Sequence, residues 1–580
     1  MPNNEEAKIN LDNFIKTSDI RENIINWYDF EEKSNILFIG NDIYTSLFKN
    51  GNKVTVIEKD SNLFENIKHN KIVKKHNVNV LEYVQVCKEK YDYVIIMDAM
   101  KRIGDFVGIN SKKRESALNM FLKEISKVLT NDGVILFPVN NKFSIKNFSG
   151  ATYENGSSYD VILGKEKNTA IFSKKEITNI IENSNFKYHK FYYPFPDHKL
   201  PSIVYSDEYL PNENNSKLSY LIYYNPEDII VFNEMEAVRE IVKEGKLDFF
   251  ANSYFIEISN SKNKLSKVKF ASFNNFRKKE NKLITKMYDG YVQKEAIYEE
   301  GKDHIKKIDQ NIKLLNSCNI EISDKVEDGK VYSEFQNFRT LNEILANLII
   351  NDELDVALNV IEKWYKLLNE RFMCEFCEKS NIKHTIFEKY SIIIDTELKK
   401  KMKFLKNGLF DLIFENIFAE LDKDNDFKEF IAYDQEWNEQ YVPIEFILYR
   451  ALNNLFYYNS KIKKYITIEE LYSKFKIQEY VDAFKLLEEK IQASLIDNSI
   501  SNLYETTYMA LTTTEGLKSI IDAEEDKYNR LQEAVNKTNE DWQKAMDKTQ
   551  KELTNVQNAL KKYRSKDIIY KIKTKIKNKK

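Results

Sequence analysis

Cysteine, glycine and proline are scarce in this 580-residue sequence, which contains 4, 14 and 8 of them. So few cysteines cannot build the disulfide framework of a secreted protein, and they suit a reducing cytoplasm. No apolar run approaches the roughly 18 residues that a transmembrane helix needs. The first residues also lack the apolar stretch of a secretion signal. We therefore expect a cytoplasmic protein that does not cross a membrane.

An excess of charge of either sign is also absent, because 88 basic side chains face 90 acidic ones and the formal charge is −2. This balance gives no chain-wide attraction to nucleic acid, so no nucleic-acid partner is expected. Hydrophobic residues make up 42% of the chain, which is ample for buried cores. The length corresponds to about three folded units.

Short apolar runs alternate with a helical pattern in the first part of the chain. The runs with the character of buried strands are 35–40, 53–58, 91–98 and 133–138. Apolar residues recur at helical spacing over 115–129, which predicts a helix there. Continuous apolar strands that alternate with helices indicate a parallel sheet covered on both faces. The predicted fold class is therefore α/β, with a Rossmann-like sheet in the first domain.

Three of the predicted strands end on residues that suit a nucleoside cofactor. In an open parallel sheet, ligands bind beyond the carboxyl ends of the strands. Gly40 lets backbone come close to a ligand, Glu58 can accept hydrogen bonds from both ribose hydroxyls, and Asp98 closes a third strand at the same edge. Each feature alone is common, whereas their order and spacing predict a cofactor site.

The stretches that carry these residues resemble the ordered motifs of class I S-adenosylmethionine-dependent methyltransferases, over 36–40, 54–58, 91–98 and 129–136. Further stretches are similar to a bacterial subgroup encoded with surface-glycan enzymes, at 140–150, 191–201, 204–211 and 250–254. The resemblance covers residues 30–258. It implies that S-adenosylmethionine is held by Gly40, Glu58 and Asp98, and that a glycan or glycoprotein accepts the methyl group.

The sequence departs from that family in the loop after the first strand. Asp42 and Tyr44 stand where the family pattern has two further glycines. Tyr44 would crowd the position at which backbone meets the methionine part of the cofactor. A methyltransferase fold that has lost cofactor binding is therefore the alternative interpretation.

Residues 262–490 carry a second set of candidate site residues. Short antiparallel strands are predicted at 268–273, 282–286 and 291–294, and an almost wholly helical stretch is predicted from about 338 to 500. Phosphoryl transfer requires a lysine on the phosphates, a carboxylate beside the acceptor hydroxyl, and metal ligands. The order of such residues in this stretch, with lysine and glutamate before Asp-x4-Asn and a later Asp, favours that chemistry.

This stretch resembles the aminoglycoside-phosphotransferase-like branch of the protein kinase fold. The resemblance implies ATP binding by Lys294, with Glu299 or Glu300 as its helix partner. Asp411 would be the catalytic base, and Asn416 and Asp434 would hold Mg²⁺. Leu409 stands where the family has a histidine two residues before the base.

The C-terminal part, 505–560, is predicted to form a coiled coil. Apolar residues recur there every seven positions, at Ile521, Tyr528, Val535, Trp542, Thr549 and Val556, with Leu517, Leu531 and Ala545 between them. Residues 561–580 form a basic tail in which Ile568, Ile572 and Ile576 share one helical face. That pattern is typical of a helix on an anionic membrane surface, with a solvated tail as the alternative. A homo-oligomer with peripheral contact to the inner face of the membrane is therefore expected.

The order of these parts is similar to that of bifunctional methyltransferase–kinases that terminate bacterial O-antigen chains. It comprises an N-terminal helical extension, a methyltransferase-like domain, a kinase-like domain, a coiled coil and a tail, over 1–29, 30–258, 262–490, 505–560 and 561–580. The leading hypothesis is methyl transfer to a surface glycan or glycoprotein, coupled to phosphorylation. The alternative is a scaffold with two degenerate enzyme-like domains that recruits glycosyltransferases through its coiled coil.

Overall fold

The computed structural model describes a large part of the chain: residues 14–15, 17–40, 44–62, 72–97, 114–151, 158–165, 171–212, 218, 221–222, 224, 229–377, 384–497, 512–513 and 539–577. These residues divide into two compact units. The first lies within 1–228 and 234–510, and the second within 229–233 and 511–580. In the part of the chain so described, no helix is both long enough and apolar enough to span a bilayer.

The first unit begins with a parallel sheet. Its strands are β1 (Asn35–Ile39), β2 (Lys53–Ile57), β3 (Ile72–His76), β4 (Tyr91–Ile96) and β5 (Leu129–Asn141). They lie side by side in the order β3-β2-β1-β4-β5, and every neighbouring pair is parallel. Only the first residue of β1 and of β2 is exposed. Such continuously buried strands are typical of a parallel sheet covered on both faces, which confirms the predicted Rossmann-like arrangement.

After β5 the sheet continues with antiparallel pairs of strands. A late strand, β10 (Ser253–Ser259), lies antiparallel between β5 and β7 (Tyr188–Phe195). A short strand, β6 (Ile171–Phe172), pairs with the end of β5. The helices around this sheet are α1 (Asn23–Asn26), α2 (Val80–Val86), α3 (Arg114–Ser126), α4 (Ile145–Ser149), α5 (Ser158–Ile162), α6 (Lys174–Asn183), α7 (Glu234–Lys243) and α8 (Leu247–Phe250).

The same sheet continues into the second half of the chain without interruption. Beyond β7 follow β8 (Ile203–Ser206), β11 (Phe270–Phe273), β12 (Leu283–Met287), β13 (Tyr291–Ala296), β16 (Lys330–Glu334) and β15 (Asp324–Glu327). Strands β11, β12 and β13 pair antiparallel, which confirms the three short strands predicted from the sequence. Strands from both sides of residues 258–262 thus belong to one 14-stranded sheet.

Behind these strands lies a helical region with its own core. Its helices are α9 (Lys302–Ser317), α10 (Leu341–Ile350), α11 (Leu354–Arg371), α12 (Ile386–Lys389), α13 (Thr396–Lys401), α14 (Ile444–Tyr458), α15 (Ile468–Lys474) and α16 (Val481–Leu495). Trp364 of α11 is fully buried in the core and packs edge-to-face on Phe414 at 4.7 Å between ring centroids.

The prediction of an almost wholly helical stretch after residue 338 is wrong. Short strands lie within it: β17 (Arg339–Thr340), β18 (Phe404–Leu409), β19 (Ile417–Leu421), β20 (Phe427–Ala432) and β21 (Asn438–Pro443). With β14 (Glu321–Ile322), β17, β19 and β20 form one small sheet, while β18 pairs with β21. Between β19 and β20, Asn425 adopts a φ of 58°, a left-handed conformation that asparagine tolerates in tight turns.

In the second unit, β9 (Ile229–Ile230) pairs in parallel with β22 (Thr512–Thr513). The other described element of this unit is the helix α17 (Asn539–Lys577), which has 39 residues.

Candidate functional site

Gly40 and Glu58 lie at the carboxyl ends of β1 and β2, as predicted from the sequence. A Cβ atom on Gly40 would lie 2.5 Å from the backbone oxygen of Met97, so only glycine lets β1 pass this close to the end of β4. Glu58 is 2% exposed. Its carboxylate accepts a hydrogen bond from the backbone N–H of Asp60 at 2.9 Å. The third predicted residue, Asp98, lies outside the described residues.

The Phe38 ring lies against Gly40, and the segment 44–46 is held by contacts with the chain itself. Tyr44 is buried, and its ring packs on Phe38 at 5.8 Å between centroids. The carboxylate of Glu22 accepts hydrogen bonds from Thr45, from the backbone N–H at 3.0 Å and from the hydroxyl at 2.7 Å. The backbone N–H of Ser46 donates to the same oxygen at 3.3 Å. A carboxylate of the N-terminal segment therefore takes the donors at the start of the 3-10 helix Thr45–Gly51.

The second candidate site is centred on Lys294, which lies on β13. Its ammonium group contacts the carboxylate of Asp434 and lies 2.9 Å from a carboxylate oxygen of Glu436. Burial alone lowers the pKa of Lys294, but the negative charges of Asp434 and Glu436 outweigh burial and hold the pKa above its usual value. Two of the predicted residues, Lys294 and Asp434, thus lie in direct contact.

Asp434 has an unusual backbone conformation, with a φ of 56°. Its backbone N–H donates to a carboxylate oxygen of the buried Asp324 at 2.7 Å, which fixes the chain at this point. Left-handed backbone at a non-glycine residue costs of order 1 kcal/mol or more, and it persists only where the surroundings impose it. The position of the Asp434 carboxylate is therefore set by the fold.

Glu436 connects Lys294 to further charged residues. It contacts the guanidinium of Arg277, which comes from the segment between β11 and β12, and it lies 3.6 Å from Nε2 of His304 on α9. Burial opposes ionisation of Glu436, but the charges of Lys294 and Arg277 hold its pKa well below the usual range. Arg277 also lies over the ring of Trp437, at 5.2 Å from its centroid.

Asp411, the predicted base, lies beside this cluster and is 8% exposed. Its carboxylate accepts hydrogen bonds from the guanidinium of Arg450 at 3.0 Å and from the backbone N–H of Trp437 at 3.1 Å. Burial raises the pKa of Asp411 to about 6, against the opposing charge of Arg450. The side-chain N–H of Asn416 donates to the backbone oxygen of Asp411 at 3.0 Å.

The predicted pairing of Lys294 with Glu299 or Glu300 is not what the structure has. Glu299 lies on a 3-10 turn before α9, with 80% of its side chain exposed, and it pairs with Lys302 at 2.6 Å. The Glu299 side chain faces solvent. The buried carboxylate beside Lys294 belongs to Glu436. Among the described residues, no three histidine, cysteine, aspartate or glutamate side chains form a ready metal site. The assignment of Asn416 and Asp434 to Mg²⁺ therefore stays a prediction.

The residues that sequence reasoning missed are Glu436, Arg277 and Arg450. A usable signal for Glu436 was its position two residues after Asp434, although the left-handed backbone of Asp434 means that no strand alternation applies there. Arg277 and Arg450 lie far from the site residues in sequence and share no spacing with them. Only the fold brings them together.

The predicted coiled-coil and tail residues lie partly outside the described residues. Ile521, Tyr528 and Val535 are among those outside. On α17, Leu553, Val556 and Leu560 have exposures of 56%, 56% and 55%, and Ile572 has 51%. These four apolar side chains face solvent in the single chain.

No family model and no curated protein matches this chain. Solved structures with some likeness include a SAM-dependent methyltransferase from Thermotoga maritima, a possible histamine N-methyltransferase, at 12% identity and a TM-score of 0.25. It matches over 44% of this chain and 96% of its own. A SAM-dependent methyltransferase from Archaeoglobus fulgidus has 13% identity and a TM-score of 0.24, over 44% and 94%.

The plantazolicin methyltransferase BpumL in complex with SAH has 11% identity and a TM-score of 0.24, over 44% of this chain and 90% of its own. Scores this low carry no argument about this chain. Its Rossmann-like character rests on the strand order and on the continuous burial of β1 and β2.

Proposed function

We propose that the chain is an S-adenosylmethionine-dependent methyltransferase that acts on a bacterial surface glycan or glycoprotein. The observation that carries the proposal is the buried carboxylate of Glu58 at the carboxyl end of β2, next to Gly40 at the end of β1. Such a carboxylate suits the two ribose hydroxyls of a nucleoside at this edge of a parallel sheet. Methyl transfer relies mainly on positioning, so it needs no strong base in the site.

The fit of the cofactor differs between its two ends. Glu58 suits the ribose, whereas in the segment that follows Gly40 the Tyr44 ring packs on Phe38 and the carboxylate of Glu22 takes the N–H of Thr45. When bound, the cofactor supplies an electrophilic methyl group, and the chain would bind and orient it. We propose that the methionine end lies beside this segment, where its binding would require Glu22 to release the N–H groups of Thr45 and Ser46.

The test is a calorimetric titration of the full chain with S-adenosylmethionine and S-adenosylhomocysteine. Replacing Glu58→Ala should weaken binding by about 1–3 kcal/mol, as the loss of a charge-assisted hydrogen bond does. Glu89→Ala is the control, because Glu89 is an exposed carboxylate paired with Lys74 at the surface. Absence of heat with the wild-type chain at millimolar cofactor would contradict the proposal.

We further propose that the kinase-like half transfers a phosphoryl group from ATP. Lys294 would hold the phosphates, Asp434 and Asn416 would hold Mg²⁺, and Asp411 would accept the proton of the acceptor hydroxyl. The contact between Lys294 and Asp434 supports this assignment, because a phosphate with its metal can lie between two such groups. The bound metal would neutralise charge on the phosphates while the chain's own residues orient the two reactants.

Two isosteric variants separate binding from turnover. Asp434→Asn should abolish Mg²⁺-dependent nucleotide binding, while Asp411→Asn should keep binding and remove turnover. Asp303→Asn is the control, since Asp303 is exposed and pairs with Lys306 on the surface of α9. Equal nucleotide affinity in Asp434→Asn and the wild-type chain would contradict the assignment.

The second candidate function is a non-catalytic scaffold that recruits glycosyltransferases. The packing of Tyr44 on Phe38 and the hydrogen bond from Thr45 to Glu22 favour it, because they hold this segment without a ligand. The chain would form a homo-oligomer through the apolar stripe of α17, and the basic tail would bind the membrane. Such a scaffold should bind neither S-adenosylmethionine nor ATP.

The oligomer and the membrane contact can be tested together. Truncation after Leu560 should leave oligomers intact and release the chain from anionic vesicles, and high salt should act like the truncation. Leu553→Ala combined with Leu560→Ala should instead dissociate the oligomer, because burial of such a side chain contributes roughly 1.5–3 kcal/mol. A monomeric wild-type chain in sedimentation would contradict the coiled coil.

A further inference from the structure

The N-terminal segment before β1 contacts both halves of the first unit. It contains the 3-10 helix Asp19–Glu22, which is followed directly by α1 and its first residue, Asn23. The hydroxyl of Ser18 caps the start of this 3-10 helix, because it accepts a hydrogen bond from the backbone N–H of Ile20 at 3.2 Å. We call residues 19–23 the strap. Its residues are consecutive in one short turn, so the contacts that they make depend on one another.

One side of the strap holds the segment that follows the first strand of the sheet. The carboxylate of Glu22 accepts hydrogen bonds from the backbone N–H groups of Thr45 at 3.0 Å and of Ser46 at 3.3 Å. The guanidinium of the preceding residue, Arg21, lies 5.5 Å from the centroid of the Tyr44 ring. A carboxylate and a cation of the strap therefore hold the segment that we propose to lie beside the cofactor.

The same strap also holds the loop 274–279, which lies between β11 and β12. Asn23 contacts Asn275, Asp19 pairs with Lys279 at 2.8 Å, and Phe276 packs against the apolar cluster that contains Ile20. The side-chain amide of Asn23 donates to Oδ1 of Asn275 at 2.8 Å, and the two side chains are 2% and 4% exposed. Loss of one buried amide leaves polar atoms of the other unsatisfied, so this contact fixes the loop to the strap.

The loop 274–279 continues the connection to the second candidate site. Its residue Arg277 contacts the carboxylate of Glu436 through the guanidinium. The loop is also tied to the end of α16, where the backbone N–H of Lys278 donates to the backbone oxygen of Leu495 at 3.0 Å. A loop that is held on both sides transmits a displacement instead of absorbing it.

Glu436 is shared between two cations. Its Oε2 atom contacts Arg277, and its Oε1 atom lies 2.9 Å from Nζ of Lys294. The hold of Glu436 on Lys294 therefore depends on how much of its charge Arg277 neutralises. Contacts thus run without a gap from the first site, through the strap and the loop, to Lys294.

We propose that the strap couples the two candidate sites, so that a ligand at one weakens binding at the other. A ligand that takes over the N–H groups of residues 45–46 displaces the carboxylate of Glu22. The strap then loosens its hold on the loop 274–279, and Arg277 withdraws from Glu436. Coupling of this kind is carried by contiguous contacts that have two discrete arrangements.

The sign of the coupling follows from the charges around Glu436. With Arg277 withdrawn, Lys294 alone neutralises this carboxylate, so the ammonium is held more firmly and is less available to a phosphate. This step rests on the proposed functions, in which S-adenosylmethionine binds at the first site and ATP at the second. Couplings between sites change affinities by about 5- to 150-fold, equally in both directions. We expect about fivefold, since Asp434 already holds Lys294.

The coupling is tested first without any ligand, by hydrogen–deuterium exchange of the full chain. Glu22→Ala should speed exchange of the backbone amides of the loop 274–279 about tenfold, because local opening of this loop becomes easier. In the opposite direction, Glu436→Gln should speed exchange at residues 45–46 by a similar factor. Asn23→Ala interrupts the strap, so in this background Glu436→Gln should no longer change exchange at residues 45–46.

Two control variants match these changes. Glu31→Ala removes an exposed carboxylate that pairs with Lys264 at 2.7 Å, and exchange in the loop should stay as in the wild-type chain. Glu445→Gln removes the charge of a buried carboxylate that accepts the backbone N–H of Lys403 at 3.3 Å. Exchange at residues 45–46 should not change in this variant.

Two results of the exchange measurement would overturn the proposal. If Glu22→Ala speeds exchange at residues 45–46 but not in the loop, the strap only anchors the N-terminal segment. If Glu445→Gln speeds exchange at residues 45–46 as much as Glu436→Gln does, the effect is a general loosening of the fold. Slow exchange in the buried strand β10 shows that a variant is folded. Glu22→Gln keeps an oxygen acceptor and replaces Glu22→Ala if that variant does not fold, with a smaller effect expected in the same segments.

A second measurement separates this inference from the proposed functions. ATP with Mg²⁺ is titrated into the full chain with and without saturating S-adenosylhomocysteine, and ATP binding should be about fivefold weaker with it. In Asn23→Ala the two ATP affinities should be equal. If both ligands bind and neither affects the other, the coupling is wrong and the proposed functions stand. If neither ligand binds, the proposed functions are wrong, and the exchange measurement alone decides whether the strap connects the two sites.

Discussion

The two candidate sites of the first unit hold their charged groups in different ways. At the edge of the Rossmann-like sheet, the carboxylates of Glu58 and Glu22 accept hydrogen bonds from backbone N–H groups. Around Lys294, opposite charges from separate elements satisfy one another, with Glu436 between Lys294 and Arg277. A ligand at the first site must displace hydrogen bonds, whereas a ligand at the second must replace one charge by another. The second site should therefore respond more strongly to the loss of a single charge.

The largest effect is expected from Lys294→Met. The substitution keeps the apolar stem but leaves Asp434 and Glu436 without the cation between them, and Glu436 is 7% exposed. Removal of one partner of a buried ion pair costs about 3–5 kcal/mol, and the partial exposure of Asp434 places this case at the lower end. Urea unfolding of the variant and the wild-type chain measures the loss.

Lys302→Met is the matched control for this variant. Its partner Glu299 lies on the surface, where an ion pair contributes about 0–1 kcal/mol. Equal midpoints for the two variants would mean that the charges around Lys294 are no more tightly coupled than those of a surface pair. The contrast between the two sites would then fail.

A second test of the contrast uses the pH dependence of stability. Burial raises the pKa of Asp411 to about 6, so between pH 4 and 6 the folded chain binds a proton that the unfolded chain has released. Stability from this group is present below the unfolded pKa and is lost as the pH rises through 6. The pKa of Asp411 is about 6 in the folded chain, against an ordinary value of 3.8. A pKa difference of one corresponds to about 1.4 kcal/mol, so the loss is on the order of 3 kcal/mol.

Asp411→Asn removes this titration. The stability of the variant relative to the wild-type chain should therefore rise between pH 4.5 and 7.5. Burial raises the pKa of Glu445 to about 7. Glu445 is present in both chains, so its contribution cancels in the difference. On the proposed phosphoryl transfer, Asp411 accepts a proton only in its ionised form, so turnover by the wild-type chain should rise through pH 6. A relative stability that does not change with pH would show that Asp411 is ionised throughout.

The difference between the two sites also explains which of their residues the sequence could predict. Gly40 and Glu58 were predictable because each ends an apolar run, and the ends of parallel strands meet at one edge. Lys294, Asp411 and Asp434 were predictable only as an ordered set. Their partners were not predictable, because an ion pair between residues 159 positions apart, such as that of Arg277 with Glu436, leaves no local pattern. The strands between 404 and 443 were missed because each has only five or six residues, and only β18 is mostly buried.

The smallest stability change, and the most informative one for the first site, is expected from Glu22→Ala. Glu22 is 8% exposed, and its carboxylate holds two backbone N–H groups and the Thr45 hydroxyl at the start of the 3-10 helix. Loss of these bonds should cost about 1–2 kcal/mol, with water taking over part of the role of the carboxylate. Glu31→Ala is the control, since Glu31 is exposed and pairs with Lys264 at the surface.

Cofactor affinity then separates the two proposed functions. If Glu22 occupies donors that the methionine end of S-adenosylmethionine would use, its removal frees them and the affinity of the Ala variant should rise by about tenfold, equal to about 1.4 kcal/mol. Calorimetric titration of both variants gives the comparison. Weaker cofactor binding in Glu22→Ala would mean that the carboxylate supports the site, because the loop it holds is then part of the binding surface. If the wild-type chain and both variants are folded but bind no S-adenosylmethionine, Glu22 and Tyr44 are structural residues of the core. That result would favour the scaffold.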